Sequence, residues 1–362
     1  MVAMKITLDV VGLLQLLVAF QCATFAALLL GRPRGKVIAN KALGAMLGLL
    51  SVHMLILAGQ QAGLVSEGLK FVHLFGLLYG PLFYLYVNGL VYENPTITGR
   101  TALHLVPFVV AALVFASWQL PPALVATSTF VSIGSYLIAS YTTLRRHQRI
   151  LDETQSNSRS ISLSWLRFCI FGFALVCFFD IASFLSNFVA VWANGWFVSV
   201  VLFCTLLLYV NFFVLVALEH PLLFRGITDE DQVVAAAVSP IALESVPSPD
   251  ELEDAYRIRQ TMIDRKLFLE AGLSISELAT HVRLPARRVS QVINLCFHQN
   301  FSDFVNLLRI EEAKSLLVRD GGKKNILDIL LEAGFNSKSS FNTIFKEKTG
   351  MSPSQYRRSL QR

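Results

Sequence analysis

From residue 8 to residue 218 the chain runs in long apolar stretches separated by short polar ones, while beyond residue 255 its apolar positions recur every third or fourth residue. Seven of the early stretches are long enough to cross a hydrocarbon layer about 30 Å thick, at roughly 8–30, 37–58, 69–92, 101–118, 123–144, 165–187 and 195–218. The first is too long, and too poorly followed by a cleavage site, to be a signal peptide. Cys22 follows Phe20-Gln21 rather than small residues, which argues against a lipoprotein site.

The later pattern is amphipathic and helical. Ser274 opens "SISELATHV" with Glu277 three residues on, the signature of a capping box. Ile275, Leu278, Ala279 and Val282 then form one apolar face. After "RLP" comes "ARRVSQVINLCF", in which Val289, Val292, Ile293 and Cys296 are expected inward and Arg287, Arg288, Ser290, Gln291 and Asn294 outward. Two short helices joined by a tight turn, the second basic and amide-rich, make a helix-turn-helix.

The plan repeats. "NILDILLEA" offers Ile326, Ile329 and Leu330 to a core, Gly334 supplies a turn, and Ser337 caps "KSSFNTIFKEK". There Phe341, Ile344 and Phe345 point in, and Lys338, Ser339, Asn342, Thr343 and Lys346 point out. Between the units, "SDFVNLLRIEEAKSLLVRD" reads as a rigid connecting helix. The fold class expected is all-α: a seven-helix transmembrane bundle at 1–225, then an all-helical cytoplasmic domain at 256–362 with helix-turn-helix units at about 274–297 and 325–348.

Charge sharpens this division. Residues 1–249 hold 13 Lys and Arg against 11 Asp and Glu, and residues 281–362 hold 14 against 7. The overall +6 therefore comes mainly from the last 80 residues or so, and a basic module implies an anionic partner. The apolar fraction of 54% and mean hydropathy of +0.55 exceed those of an ordinary soluble protein. The five cysteines lie without metal-ligand spacing, four of them in apolar runs; neither a disulfide framework nor a metal is implied.

Residues 227–254 carry eight acidic side chains, three prolines and no Lys or Arg. Residues 226–255 thus read as an acidic flexible linker, reaching on the order of 30 Å as a coil. Eleven basic residues fall in the loops of one side, including Arg32, Arg34, Lys36, Lys41, Arg145 and Arg146, against Lys5 and Lys70 on the other. Positive loops stay cytoplasmic, so the N-terminus is expected outside and the C-terminus in the cytoplasm, on a multi-pass protein of the inner (cytoplasmic) membrane.

Inside the spans, His53, Asn88, His104 and Asp180 are costly unless paired or facing a cavity, and they form the candidate intramembrane signal site. The competing reading makes them interhelical hydrogen bonds that hold the bundle together.

"NFSDFVNLLRIEEAKSLL" followed by "ILDILLEAGFNSKSSFNTIFKEKTGMSPSQYRR" resembles the two-helix-turn-helix DNA-binding domain of the AraC/XylS family of bacterial transcription regulators, in its membrane-bound branch with a multi-span N-terminal half. The resemblance covers about 256–361 and rests on Gly334-Phe335, Ser340-Phe341, Phe345-Lys346, Gly350 and Pro353 through Arg357. It implies two recognition helices, about 286–297 and 337–348, in successive major-groove segments of double-stranded promoter DNA. Carried over by position, Arg287, Ser290, Gln291, Lys338, Ser339 and Thr343 face bases, and Arg288, Asn342 and Lys346 face phosphates. Leu330 stands where the family usually has Ala, and Thr343 where it often has Arg, so the second unit is expected slightly splayed and its base readout weak.

The function expected is a membrane-embedded, sequence-specific transcription regulator coupling a membrane or external signal to promoter binding. RNA polymerase is a partner the family implies; the lipid bilayer, an unknown signal or membrane partner and a second copy of the chain complete the set, with no cofactor. The helix exit at 218–225 is the expected relay. Two alternatives stand: a transporter or membrane enzyme with a regulatory appendage, and a plain anchored regulator without sensing. Residues 1–225 show no paired carboxylates, metal-ligand helix motif or nucleophile constellation, so no enzyme is expected.

Overall fold

The computed structural model describes residues 8–31, 36–66, 70–93, 99–117, 120–161, 163–189, 195–219, 227–236, 246–320 and 323–360. The fold is all-α; among these residues there is no strand, only an isolated bridge between Gln155 and Ser274. The chain divides into two compact units, residues 1–144 with 163–226, and residues 145–162 with 227–362.

The first unit holds α1 (Val10–Leu30), α2 (Val37–Gln61), α3 (Gly76–Val91), a short α4 (Gly99–Ala102), α5 (Val106–Ser117), α6 (Pro122–Thr154, shared with the second unit), α7 (Ser164–Val189) and α8 (Gly195–Glu219). Six described helices are long and apolar enough to cross a membrane. At the fourth expected span stands a shorter apolar helix, Leu103–Ala116. Pro81 lies inside α3, whereas Pro107 occupies the first turn of α5, where a missing N–H is tolerated. Helices α1 and α2 pack closely, with the Ser51 hydroxyl donating to the Ala19 carbonyl at 2.8 Å. At Gly89 an added Cβ would lie 2.7 Å from the Ala39 nitrogen, so a glycine permits α2 and α3 to touch backbone to backbone.

The second unit holds α9 (Asp229–Ala236), α10 (Pro249–Asp264), α11 (Ile275–Val282), α12 (Ala286–Phe297), α13 (Phe301–Asp320), α14 (Ile326–Glu332), α15 (Lys338–Thr349) and α16 (Pro353–Leu360). Ser274 and Glu277 form the expected capping box at α11, and Ser248 with Glu251 forms another at α10. Ser337 caps α15, and Gly350 closes it in the left-handed region at φ 75°.

Two cores result. The first is built by α10, α11, α12 and the start of α13 around Ile258, Met262, Leu278, Val292, Ile293 and Phe301. The second joins the end of α13 with α14 and α15 around Ile310, Leu317, Ile329, Phe341 and Phe345. Leu330 is 1% exposed within it, so the larger side chain is accommodated.

The acidic stretch is more ordered than expected. Asp229, Glu230 and Asp231 sit in the first turn of α9, where carboxylates oppose the positive helix end. Val234 of that helix enters the first core. With Pro249 at its start, α10 begins inside the span assigned to a linker. Residues 226 and 237–245, and most of the 218–225 exit, lie outside the described residues, as do Lys5, Arg32, Arg34 and Arg225.

Candidate nucleic-acid interface and intramembrane cavity

Each helix-turn-helix puts its second helix on a rigid floor. In the first unit Val289, Val292 and Ile293 are buried as expected, and Cys296 is half-buried against the same core. The turn between α11 and α12 holds Arg283 at φ 56°, a left-handed position taken here without glycine. In the second unit Gly334, at φ 85°, is required. A Cβ there would lie 2.7 Å from the Phe268 carbonyl oxygen and 2.8 Å from the Leu269 Cα.

Arg309 joins the two cores. It is 1% exposed, and its Nε donates to the Phe268 carbonyl at 2.7 Å. Its Nη2 donates to the Glu270 carbonyl at 2.7 Å and to the Ser156 hydroxyl at 3.0 Å. The guanidinium also lies 5.7 Å from the centre of the Phe335 ring. Burial pushes its pKa down to about 10, so it remains a cation at neutral pH.

The two outward faces differ. On α15, Lys338, Ser339, Asn342, Thr343 and Lys346 are all exposed. On α12 only Arg287 is exposed, and Gln291 is half-buried. Arg288, a candidate phosphate contact, donates from Nε to Asp254 at 2.9 Å and from Nη1 to Glu251 at 3.2 Å. Asp254 raises the pKa of Arg288 further.

Ser290 and Asn294 are buried, not outward as their helical positions suggested, at 0% and 8% exposure. The reason lies far away in sequence. The Ser290 hydroxyl and the Asn294 amide donate to the Glu153 carboxylate at 3.3 and 2.8 Å.

Glu153 belongs to the 145–162 segment, part of the basic 145–167 stretch expected among the cytoplasmic loops. That segment packs into the second unit. The Ser156 N–H donates to the Leu273 carbonyl at 3.0 Å, and the Ser156 carbonyl accepts from Ser302, Asn306 and Arg309. The Ser158 and Ser302 hydroxyls are bonded at 3.0 Å, and Arg159 pairs with Glu347 of α15 at 2.9 Å.

In the first unit a cavity of about 590 Å³ is walled mainly by aliphatic and aromatic side chains. His53, His73, Tyr79, Thr129, Asp180, Ser183 and Tyr209 are among its polar lining residues. Two predicted site residues, His53 and Asp180, therefore meet on one cavity. His53 Nδ1 shares a 2.8 Å hydrogen bond with the Tyr79 hydroxyl, while its buried Nε2 and the Thr129 hydroxyl have no hydrogen-bond partner among the described residues. The other two predicted residues lie elsewhere. His104 bonds the Tyr136 hydroxyl at 2.8 Å, and Asn88 is half-buried in α3; neither lines this cavity. Thr129 carried no signal in sequence, because it is one of four hydroxyl residues in "TSTFVS" and nothing local sets it apart from the others.

Paired helix-turn-helix units on a common connecting helix define a DNA-binding module, and residues 278–359 match a family model described as a helix-turn-helix domain. The C-terminal module is a helix-turn-helix domain of the AraC type. It is similar to the melibiose operon regulatory protein of Escherichia coli (strain K12), with 35% identity over 89 residues, covering 25% of this chain and 29% of that one. It is also similar to an uncharacterized HTH-type transcriptional regulator of Staphylococcus aureus (strain MSSA476), with 36% identity over 92 residues, covering 25% of this chain and 12% of the relative. The chain thus spans less than a third of the length of these relatives. No solved structure matches it.

Proposed function

We propose that this chain is a membrane-embedded, sequence-specific transcription regulator rather than an enzyme, set in the inner (cytoplasmic) membrane with its N-terminus outside and its DNA-binding module in the cytoplasm. One observation carries the reading: an AraC-type module with the polar face of its second recognition helix exposed follows six helices apolar enough to cross a membrane and the shorter apolar helix Leu103–Ala116, which as a seventh crossing gives the two ends opposite sides. Double-stranded promoter DNA is the partner. Arg287, Gln291, Lys338, Ser339 and Thr343 read bases; Asn342 and Lys346 hold phosphates; Ser290 and Arg288 join them once released from Glu153, Asp254 and Glu251. RNA polymerase and a second copy of the chain are the protein partners.

The bundle senses rather than merely anchors. The support is the cavity, whose apolar wall and few convergent polar groups are what a small-molecule site requires. Its occupant is a membrane-soluble molecule whose polar end meets Asp180, His53 and Thr129.

Chromatin immunoprecipitation of the full chain at native abundance tests the function. Recovery of discrete promoter sites that vanish in a Lys338→Ala/Thr343→Ala variant is the expected result. Uniform or absent DNA recovery would overturn it.

A further inference from the structure

We infer that the 145–162 segment is an intramolecular clamp on the DNA-reading face, whose Glu153 occupies the positions that DNA must take on the first recognition helix. This rests on the reading that α12 meets DNA, and it assigns the regulation of that site.

Three observations converge. First, the clamp is selective for reading-face side chains. The Glu153 carboxylate takes hydrogen bonds from Ser290 and Asn294, one helical turn apart on α12, and leaves both buried. A duplex presents about one negative charge per 1.7 Å of its axis. A carboxylate held at hydrogen-bond distance from these side chains fills the same space and repels the same phosphates, so clamp and DNA exclude each other there.

Second, the clamp has a seat of its own. Ser156 bonds the Leu273 backbone just ahead of α11, and its carbonyl and hydroxyl meet Arg309, the residue that joins both cores. The segment is therefore fixed to the module's frame, with Glu153 aimed at α12.

Third, it also reaches the second unit. Arg159 pairs with Glu347 on α15, through side chains 37% and 50% exposed. One short segment thus touches both recognition helices. The face of α15 that carries Lys338, Thr343 and Lys346 remains exposed, so the closed state keeps one reading head free and covers Ser290 and Asn294 of the other while Arg287 stays exposed.

Covalent structure says what would work the clamp. Glu153 is the penultimate residue of α6, and α6 begins at Pro122 with Val125, Thr129 and Ile133 on the cavity wall. The same helix carries a residue that would touch a cavity ligand and the residue that covers α12. A ligand favouring a different setting of α6 would shift the closed–open balance by its differential affinity for the two states.

The test uses the full chain in lipid nanodiscs with a 30-base-pair mixed-sequence duplex as probe, at one fixed salt concentration. Glu153→Ala is expected to bind this duplex about tenfold more tightly than the natural chain, and Arg159→Ala, which alters an exposed pair and leaves the fold alone, about two- to threefold (about 1.4 kcal/mol for the tenfold step). Hydrogen exchange supplies the second readout: duplex binding to the natural chain should speed exchange at Ser156 while slowing it along 286–297. Unchanged or weaker binding by both variants, or protection of Ser156 that persists at saturating duplex, overturns the clamp while leaving DNA binding intact. Absence of duplex binding by all three proteins would overturn the DNA reading and the clamp together.

Discussion

Replacing Arg309 by methionine tests how the two helix-turn-helix units are held in one frame. The side chain makes three short hydrogen bonds, at 2.7, 2.7 and 3.0 Å, to Phe268, Glu270 and Ser156. Hydrogen bonds involving a charged group contribute about 1.5–3 kcal/mol each. Removing the cation also relieves its desolvation, which costs several kcal/mol, and methionine fills much of the volume. The bound carbonyls, however, lose a charged donor inside the protein. The balance is a loss of about 3 kcal/mol, within the range for breaking one side of a buried charged contact.

The measurement is the opening free energy of amides along 301–320, by hydrogen exchange on the full chain in nanodiscs. Arg309→Lys, which cannot span both carbonyls, is expected to lose about half as much. Between pH 6 and 9 the difference should be flat. The depressed pKa of about 10 makes the unfolded state the better proton binder only between that value and the ordinary guanidinium range, so this residue's contribution to stability rises with pH in that window alone. A loss below about 1 kcal/mol for Arg309→Met would refute the view that this cation carries the joint.

Further outcomes follow from single sites. Gly334→Ala places a Cβ 2.7 Å from the Phe268 carbonyl oxygen at a left-handed φ, and should cost about 3 kcal/mol, read as faster exchange across α14 and α15. Ser274→Ala removes the capping box of α11 and should destabilise that helix by about 1 kcal/mol in the same experiment. Lys346→Ala should weaken duplex binding across all sequences and reduce the salt slope of log K by about 1, measured by fluorescence anisotropy at four salt concentrations. Ser248 donates from its backbone and hydroxyl to Glu251, holding that carboxyl below its ordinary pKa. Protection at the start of α10 should therefore be complete at neutral pH and decline as pH falls through the carboxylate range, and protection unchanged down to pH 3 would contradict the assignment.

The helices and both cores of the DNA-binding module were legible because local rules specify them. The Ser274 capping box, Gly334, and the 3.6-residue spacing of Phe341, Ile344 and Phe345 each signal structure within a few positions. The covering of α12 was not legible. Ser290 and Asn294 sit on the polar face of an amphipathic helix and read as outward, and what buries them lies 137 and 141 residues earlier. Arg288 was hidden similarly, since its partners belong to a stretch whose acidity reads as a solvated linker. In the membrane half, hydropathy finds the rods but not their mutual rotation. His53 and Asp180 could be flagged for their cost in lipid, whereas only packing decides that they share a cavity and that His104 turns to Tyr136 instead.

The most direct measurement selects duplexes from a random library with the full chain reconstituted in nanodiscs. The account predicts a recovered motif whose two halves depend on different helices, one relaxed by Arg287→Ala and the other by Lys338→Ala. Recovery of no sequence preference, at salt concentrations where binding is measurable, would contradict it.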